Sequence, residues 1–153
     1  MADAKIYVQV NKFAVKDIFD SKYKAKAITA MQTAAENAIK GKLTTDAPKD
    51  NEGLGRHFSP TDLVGGALAT CILTTMGIVA RRHDIDMRGA TAAVEKHMVQ
   101  NPRRIGRLPV IVRIPGRFTP DQKKLLEAAG RSCPVHRSLH ADIDAPITFE
   151  WTG

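Results

Sequence analysis

The sequence predicts an α+β domain in which helices pack against antiparallel sheet. Three observations carry that expectation. A long uncharged run from Leu63 to Ala80 follows a helix-start signal at Ser59. Val110, Val112 and Ile114 alternate with Ile111 and Arg113, the period of a strand with one face buried. A second helix-start signal follows at Thr119.

Taken in order, residues 4–10, "AKIYVQV", read as a short edge strand. Residues 24–40 have helical composition but run into "AIKGKLTTDAP", which ends like a strand entering a loop, so they do not resolve into one element. Residues 46–58, "DAPKDNEGLGRHF", carry the Pro, Asp, Asn and Gly of a surface loop. Ser59 then serves as N-cap, Pro60 fits the first helical position, and Asp62 completes a capping box. The helix should run to about Arg82, where Arg81, Arg82 and His83 suit its negative end. Apolar nearly all round, it reads as a central helix. Gly66, Thr70 and Gly77 keep one side small enough for a second helix to approach closely. "DMRGATAAVEKHMVQ" and "RIGRLPVIVRIPGRF" flank the turn-like "NPRR" and form a long hairpin. Thr119, Pro120 and Gln122 open the next helix, whose apolar face includes Leu125, Leu126, Ala129 and Cys133. "PITFEWTG" closes the domain as a strand.

The length suits one domain, residues 1–153, and 43% apolar with 25% charged residues is ordinary for a globular protein. The net charge of +7 is scattered in pairs such as Arg81-Arg82, Arg103-Arg104 and Lys123-Lys124. With only 5% aromatics and no stacking cluster beside a basic run, no nucleic-acid partner is expected. Leu63 to Ala80 just reaches membrane-span length, but three glycines and three threonines dilute it, so no membrane partner is expected either. The start, "MADAKIYVQVNKF", lacks the layout of a signal peptide, which predicts a cytoplasmic protein whose cysteines are kept reduced.

Chemistry concentrates at Cys71, in mid-helix, and at Cys133 in "RSCPVHRSLH". Pro134 can open a new helical turn, "PVHRSLH", which makes Cys133 its N-cap. The free N–H groups there, with Arg131 and Arg137 nearby, would lower the thiol pKa. Three readings of Cys133 stand: half of a structural disulfide, which a reducing cytoplasm disfavours, a metal ligand with His136 and His140 at C-x2-H-x3-H spacing and Cys71 as fourth ligand, or half of a reactive pair; Cys71 alone would read as packing filler. The chain has no C-x-x-C, and the Cys71 helix has no acidic or histidine cluster, so no metal and no cofactor are expected.

"FSPTDLVGGALATCILTTMGI" and "CPVHRSL" together resemble the OsmC/Ohr family, the osmotically induced and organic-hydroperoxide-resistance proteins. The resemblance spans about residues 44–151; the N-terminal part, 1–43, fits poorly. It implies a bacterial cytoplasmic homodimer, intimately intertwined, with each long helix buried between two curved sheets and two active sites at the interface. It also implies that Cys71 is peroxidatic and Cys133 resolving, with a thiol or dithiol reductant restoring the pair. The family's peroxidases use an arginine from an early hairpin loop and a glutamate ten residues before the first cysteine. Here that position is Thr61, the first arginine in the chain is Arg56, and the nearest carboxylate, Asp62, is rotated about 100° away. Candidate activators are therefore Asp62, Arg56, His57 and Arg137, with His136 beside Cys133.

The expected function is a cysteine-based peroxidase reducing organic, lipid-like hydroperoxides, with Leu63, Leu68, Ile72 and Met76 as the apolar lining. The alternative is a redox-sensing or small-apolar-ligand-binding member with little peroxidase activity.

Overall fold

The computed structural model describes residues 4–9 and 45–153. The undecided stretch at 24–40 lies outside them, as does most of the divergent part, 1–43.

Strand β1 (Ala4–Gln9) precedes the loop of residues 46–58, which contains a 3-10 turn at Lys49–Asn51. The loop folds around Asp46, whose carboxylate accepts from the main-chain N–H of Arg56 at 3.0 Å. That hydrogen bond is the largest influence holding the Asp46 pKa below its usual value. Helix α1 (Pro60–Arg82) follows, and its N-terminus is the predicted capping box: the Asp62 N–H donates to Ser59 Oγ at 3.2 Å, and the Ser59 N–H donates to Asp62 Oδ2 at 2.8 Å.

Strands β2 (Thr91–Val99), β3 (Arg104–Arg107) and β4 (Val110–Pro115) form the expected hairpin, turning at residues 100–103. One long strand, β2, pairs with β4 through Thr91–Val94 and with β3 through His97–Val99. Helix α2 (Pro120–Arg131) and the single turn α3 (Pro134–Arg137) lead to β5 (Ile147–Thr152). The sheet order is β1-β2-β4-β5, so β1 takes the end position expected of it among the described strands. The β1–β2 and β2–β4 pairs are antiparallel, whereas β5 runs parallel to β4. The two intervening helices carry the chain back across the sheet, which permits that parallel entry.

Side-chain alternation decides which face meets α1. Ala92 and Val94 on β2 and Val110, Val112 and Ile114 on β4 are buried, while Arg113 is exposed. They pack with Leu68, Ile72, Met76 and Leu126 into one core. Helix α2 approaches α1 through Gly130, where an added Cβ would lie 3.2 Å from Met76 Sδ and 3.0 Å from Phe149 Cζ. Gly130 of α2 is thus a small residue at that crossing. Gly77 is buried, but a Cβ on Gly66 would meet nothing within 4 Å, and Thr70 is exposed.

Around Thr70, α1 is not enclosed by its own chain. Ala67, Thr70 and Thr74 are exposed, and the hydroxyls of both threonines bond back to helix carbonyls, which leaves a stripe of methyl groups. One side of the central helix is therefore left uncovered in the single chain. Against a membrane reading, the opposite face of α1 forms the core of the sheet layer.

Thr119 caps α2, accepting from the Gln122 N–H at 3.2 Å while Gln122 Oε1 accepts from the Thr119 N–H at 2.9 Å. Thr119→Ala should cost about 1 kcal/mol of unfolding free energy, measurable as a lower urea midpoint at unchanged slope.

Candidate functional site

The core brings the two cysteines together. Cys71 lies in the middle of α1 and is partly exposed; Cys133 follows α2 and is fully buried. Both are free thiols, and they lie near enough for Cys71 to act on the titration of Cys133. Cys133 arrives there because the Ser132 and Cys133 N–H groups still bond to the last turn of α2, while Pro134 opens α3.

The N-cap placement of Cys133 holds, but its predicted electrostatic consequence does not. Burial is the largest influence on Cys133 and raises its pKa, and the neighbouring Cys71 sulfur raises it further. The N–H groups of His136 and Val135 face the sulfur and pull the other way, without forming a full capping bond. One four-residue turn has little dipole to offer against complete burial. Cys133 is a protonated thiol at neutral pH, and Cys71 is the more accessible of the two.

The candidate activators are not placed at the pair by this chain. Arg56 and His57 are exposed in the loop before α1, and Arg137 is exposed at the end of α3. Among the described residues no hydrogen bond or ion pair joins any of them to either sulfur. Asp62 stands nine residues before Cys71, about 13 Å along the helix axis. Its carboxylate is engaged by the Ser59 N–H, by Ser59 Oγ at 2.7 Å and by Lys96 Nζ at 2.6 Å. Burial raises the Asp62 pKa, but the hydrogen bonds from Lys96 and Ser59 outweigh it and hold the carboxyl below its usual value.

Lys96 is the residue that sequence reading missed. It is 6% exposed on the inward face of β2 and also donates to Thr61 Oγ1 at 3.1 Å and Ser59 Oγ at 3.2 Å. The available signal was its phase: Lys96 continues the inward alternation of Ala92 and Val94, where a charge demands a buried partner.

Leu68, Ile72 and Met76, expected to line a substrate pocket, are fully buried in the core and face no open space. Beside Cys71, the helix surface is formed by Ala67, one turn before it, and by Thr74 and Thr75. His136 Nε2 lies 2.8 Å from the Ala145 carbonyl oxygen, and His140 Nδ1 accepts from the Asp142 N–H at 3.2 Å. Among the described residues no three His, Cys, Asp or Glu side chains converge as a metal set would.

Five arginines sit in acid pairs: Arg88–Asp86, Arg103–Asp50 at 3.5 Å, Arg104–Asp142 at 3.6 Å, Arg107–Asp144 at 2.7 Å and Arg113–Glu150 at 2.6 Å. Such pairing breaks up a basic surface of the kind nucleic acid needs.

Fold and site together define a class: an α+β protein whose central helix and a late helical turn bring two free thiols near each other. The sequence profile of the OsmC-like proteins matches residues 51–148, and the chain belongs to that family. An uncharacterized protein of Acinetobacter baylyi is 28% identical over 120 residues, 77% of this chain and 81% of that protein. A Psychrobacter arcticus crystal structure, provisionally described as an osmotic stress induced and detoxification response protein, is 40% identical. Its TM-score is 0.65, with 69% of this chain and 77% of that one covered. An organic hydroperoxide resistance protein OsmC from Legionella pneumophila shares the fold at 20% identity and a TM-score of 0.57, covering 71% of this chain and 81% of its own. The family resemblance read from the two cysteine motifs therefore holds.

Proposed function

We propose that the protein is a thiol-dependent peroxidase acting on organic hydroperoxides. The proximity of a partly exposed Cys71 to a buried Cys133 carries this reading. The Cys71 thiolate attacks the terminal peroxide oxygen, the O–O bond breaks, and an alcohol leaves as Cys71 becomes a sulfenic acid. The Cys133 thiol then displaces water, forming the Cys71–Cys133 disulfide. An external dithiol reduces that bond by exchange and is itself oxidised. Relatives described as organic hydroperoxide resistance proteins support the substrate class.

The uncharged stripe of α1 around Ala67, Thr70 and Thr74 is where a second copy would pack, giving a homodimer that encloses Cys71 and supplies the missing pocket wall. We infer a single OsmC-like domain over residues 1–153 and a cytoplasmic, bacterial setting. Cys71→Ser should reduce consumption of cumene hydroperoxide with a dithiol reductant by more than about a thousandfold, the loss typical of removing a nucleophile. Consumption at the wild-type rate would sink the peroxidase reading.

A second reading, a redox sensor or small-ligand binder with little turnover, is favoured by the exposed positions of Arg56, His57 and Arg137, away from the thiols. The pH dependence of Cys71 alkylation by iodoacetamide separates the two. An apparent pKa near the ordinary thiol value of about 8.5 marks the sensor or binder, and a markedly lower one the peroxidase.

A further inference from the structure

Turn α3 consists of only four residues, Pro134–Arg137, too few to hold a helical turn by its own hydrogen bonds. It nevertheless fixes one side of Cys133, whose carbonyl accepts from the Arg137 N–H at 3.1 Å. The other side of Cys133 is held by α2, through its N–H to Gly130 O at 3.2 Å. Something outside the turn must therefore keep α3 in place.

His136 supplies the connection. The carbonyls of Asp144 and Pro146 accept from Leu108 N–H at 2.8 Å and Val110 N–H at 2.9 Å, both toward β4 and the residues before it. Successive carbonyls of an extended chain point to opposite sides, so the Ala145 carbonyl between them points away from β4. The His136 ring meets it there, with Nε2 at 2.8 Å. A carbonyl only accepts, so Nε2 carries the proton in this contact. The main-chain N–H of the same residue faces Cys133 Sγ. One residue thus touches the segment leading into β5 with its ring and faces the buried thiol with its backbone.

We propose that His136 is a positioning residue for the thiol pair: its hydrogen bond to Ala145 braces the α3 turn against the segment that enters β5 and so keeps Cys133 beside Cys71. This rests on reading Cys71 and Cys133 as a redox pair. Loss of the brace lowers the effective concentration of one thiol at the other, by about three- to tenfold if one ordinary hydrogen bond is forfeited.

The test equilibrates the wild-type protein with His136→Ala, His136→Gln and His136→Asn in buffers of oxidised and reduced glutathione. There the dithiol and one oxidised glutathione yield the internal disulfide and two reduced glutathiones. The Cys71–Cys133 disulfide is quantified by alkylation and peptide mass spectrometry. Glutamine can place an amide N–H where Nε2 stands, whereas asparagine falls short. The expected result is an equilibrium shifted about three- to tenfold toward the dithiol in the alanine and asparagine variants, with the glutamine variant near wild type. Should the alanine variant fail to fold, the glutamine–asparagine difference decides alone. Equal equilibria in wild type and the variants would overturn the positioning role while leaving the redox pair intact. A wild-type protein that never forms the disulfide would overturn both.

Discussion

Replacement of Cys133 by serine is expected to convert steady peroxide turnover into a single oxidation of each subunit. Cys71 remains partly exposed in this variant and still meets the oxidant. Its sulfenic acid, however, finds a hydroxyl where the resolving thiol stood, and serine cannot form the mixed bond. Excess peroxide then carries Cys71 to the sulfinic and sulfonic acids, which ordinary thiols do not reverse. Peptide mass spectrometry should show two or three added oxygens on the Cys71 peptide, against the loss of two hydrogens across the Cys71 and Cys133 peptides in wild type. Stoichiometric consumption followed by arrest is the kinetic counterpart. The raised pKa of Cys133 adds a pH signature to the wild type. Where resolution limits the rate, turnover should climb as pH rises through the upper end of the thiol range, because only the thiolate attacks the sulfenic sulfur. A serine variant that turned over continuously would show that an external thiol, not Cys133, resolves Cys71.

What could be read from the chain, and what could not, divides along a physical line. Ser59, Pro60 and Asp62 announced α1, and Thr119 with Gln122 announced α2, because capping is settled within four residues. The inward set Val110, Val112 and Ile114 was legible because pleating is local. Burial of the two cysteine-bearing elements against each other followed from the apolar face shared by Leu126, Ala129 and Cys133. The titration of Cys133 was not legible: Cys71, a residue far away in sequence, and complete burial set it, against a favourable local turn. Parallel pairing of β5 with β4 likewise depends on where the intervening helices lie, which no residue of "PITFEWTG" encodes. The lining assigned to Leu68, Ile72 and Met76 failed because apolar character alone does not distinguish a core from a pocket wall.

The largest stability effect should come from Lys96, and its sign depends on what is left behind. Lys96→Met removes the cation from a carboxylate that is itself 8% exposed, leaving Asp62 charged in the interior with only Ser59 to solvate it. Breaking a buried pair in this way costs about 3–5 kcal/mol, more than the cap alone is worth. Adding Asp62→Asn to that variant should recover a substantial part, because the side chain is now neutral and its carbonyl oxygen can still accept from the Ser59 N–H. Urea denaturation of the two single variants and the double variant closes the cycle, and purely additive losses would show that the two groups do not act as a pair. Acid separates the forms again. The folded-state pKa of Asp62 is depressed, so its contribution is complete above the unfolded value, near 3.8, and is lost as pH falls through the lower folded value. Wild type should therefore lose stability below about pH 4 by a step that the double variant lacks. The same pair anchors the start of the helix that carries Cys71. Lys96→Met should consequently loosen the first turn of α1 before the segment around the thiols, visible as faster amide exchange at residues 62–65 than at 71–75.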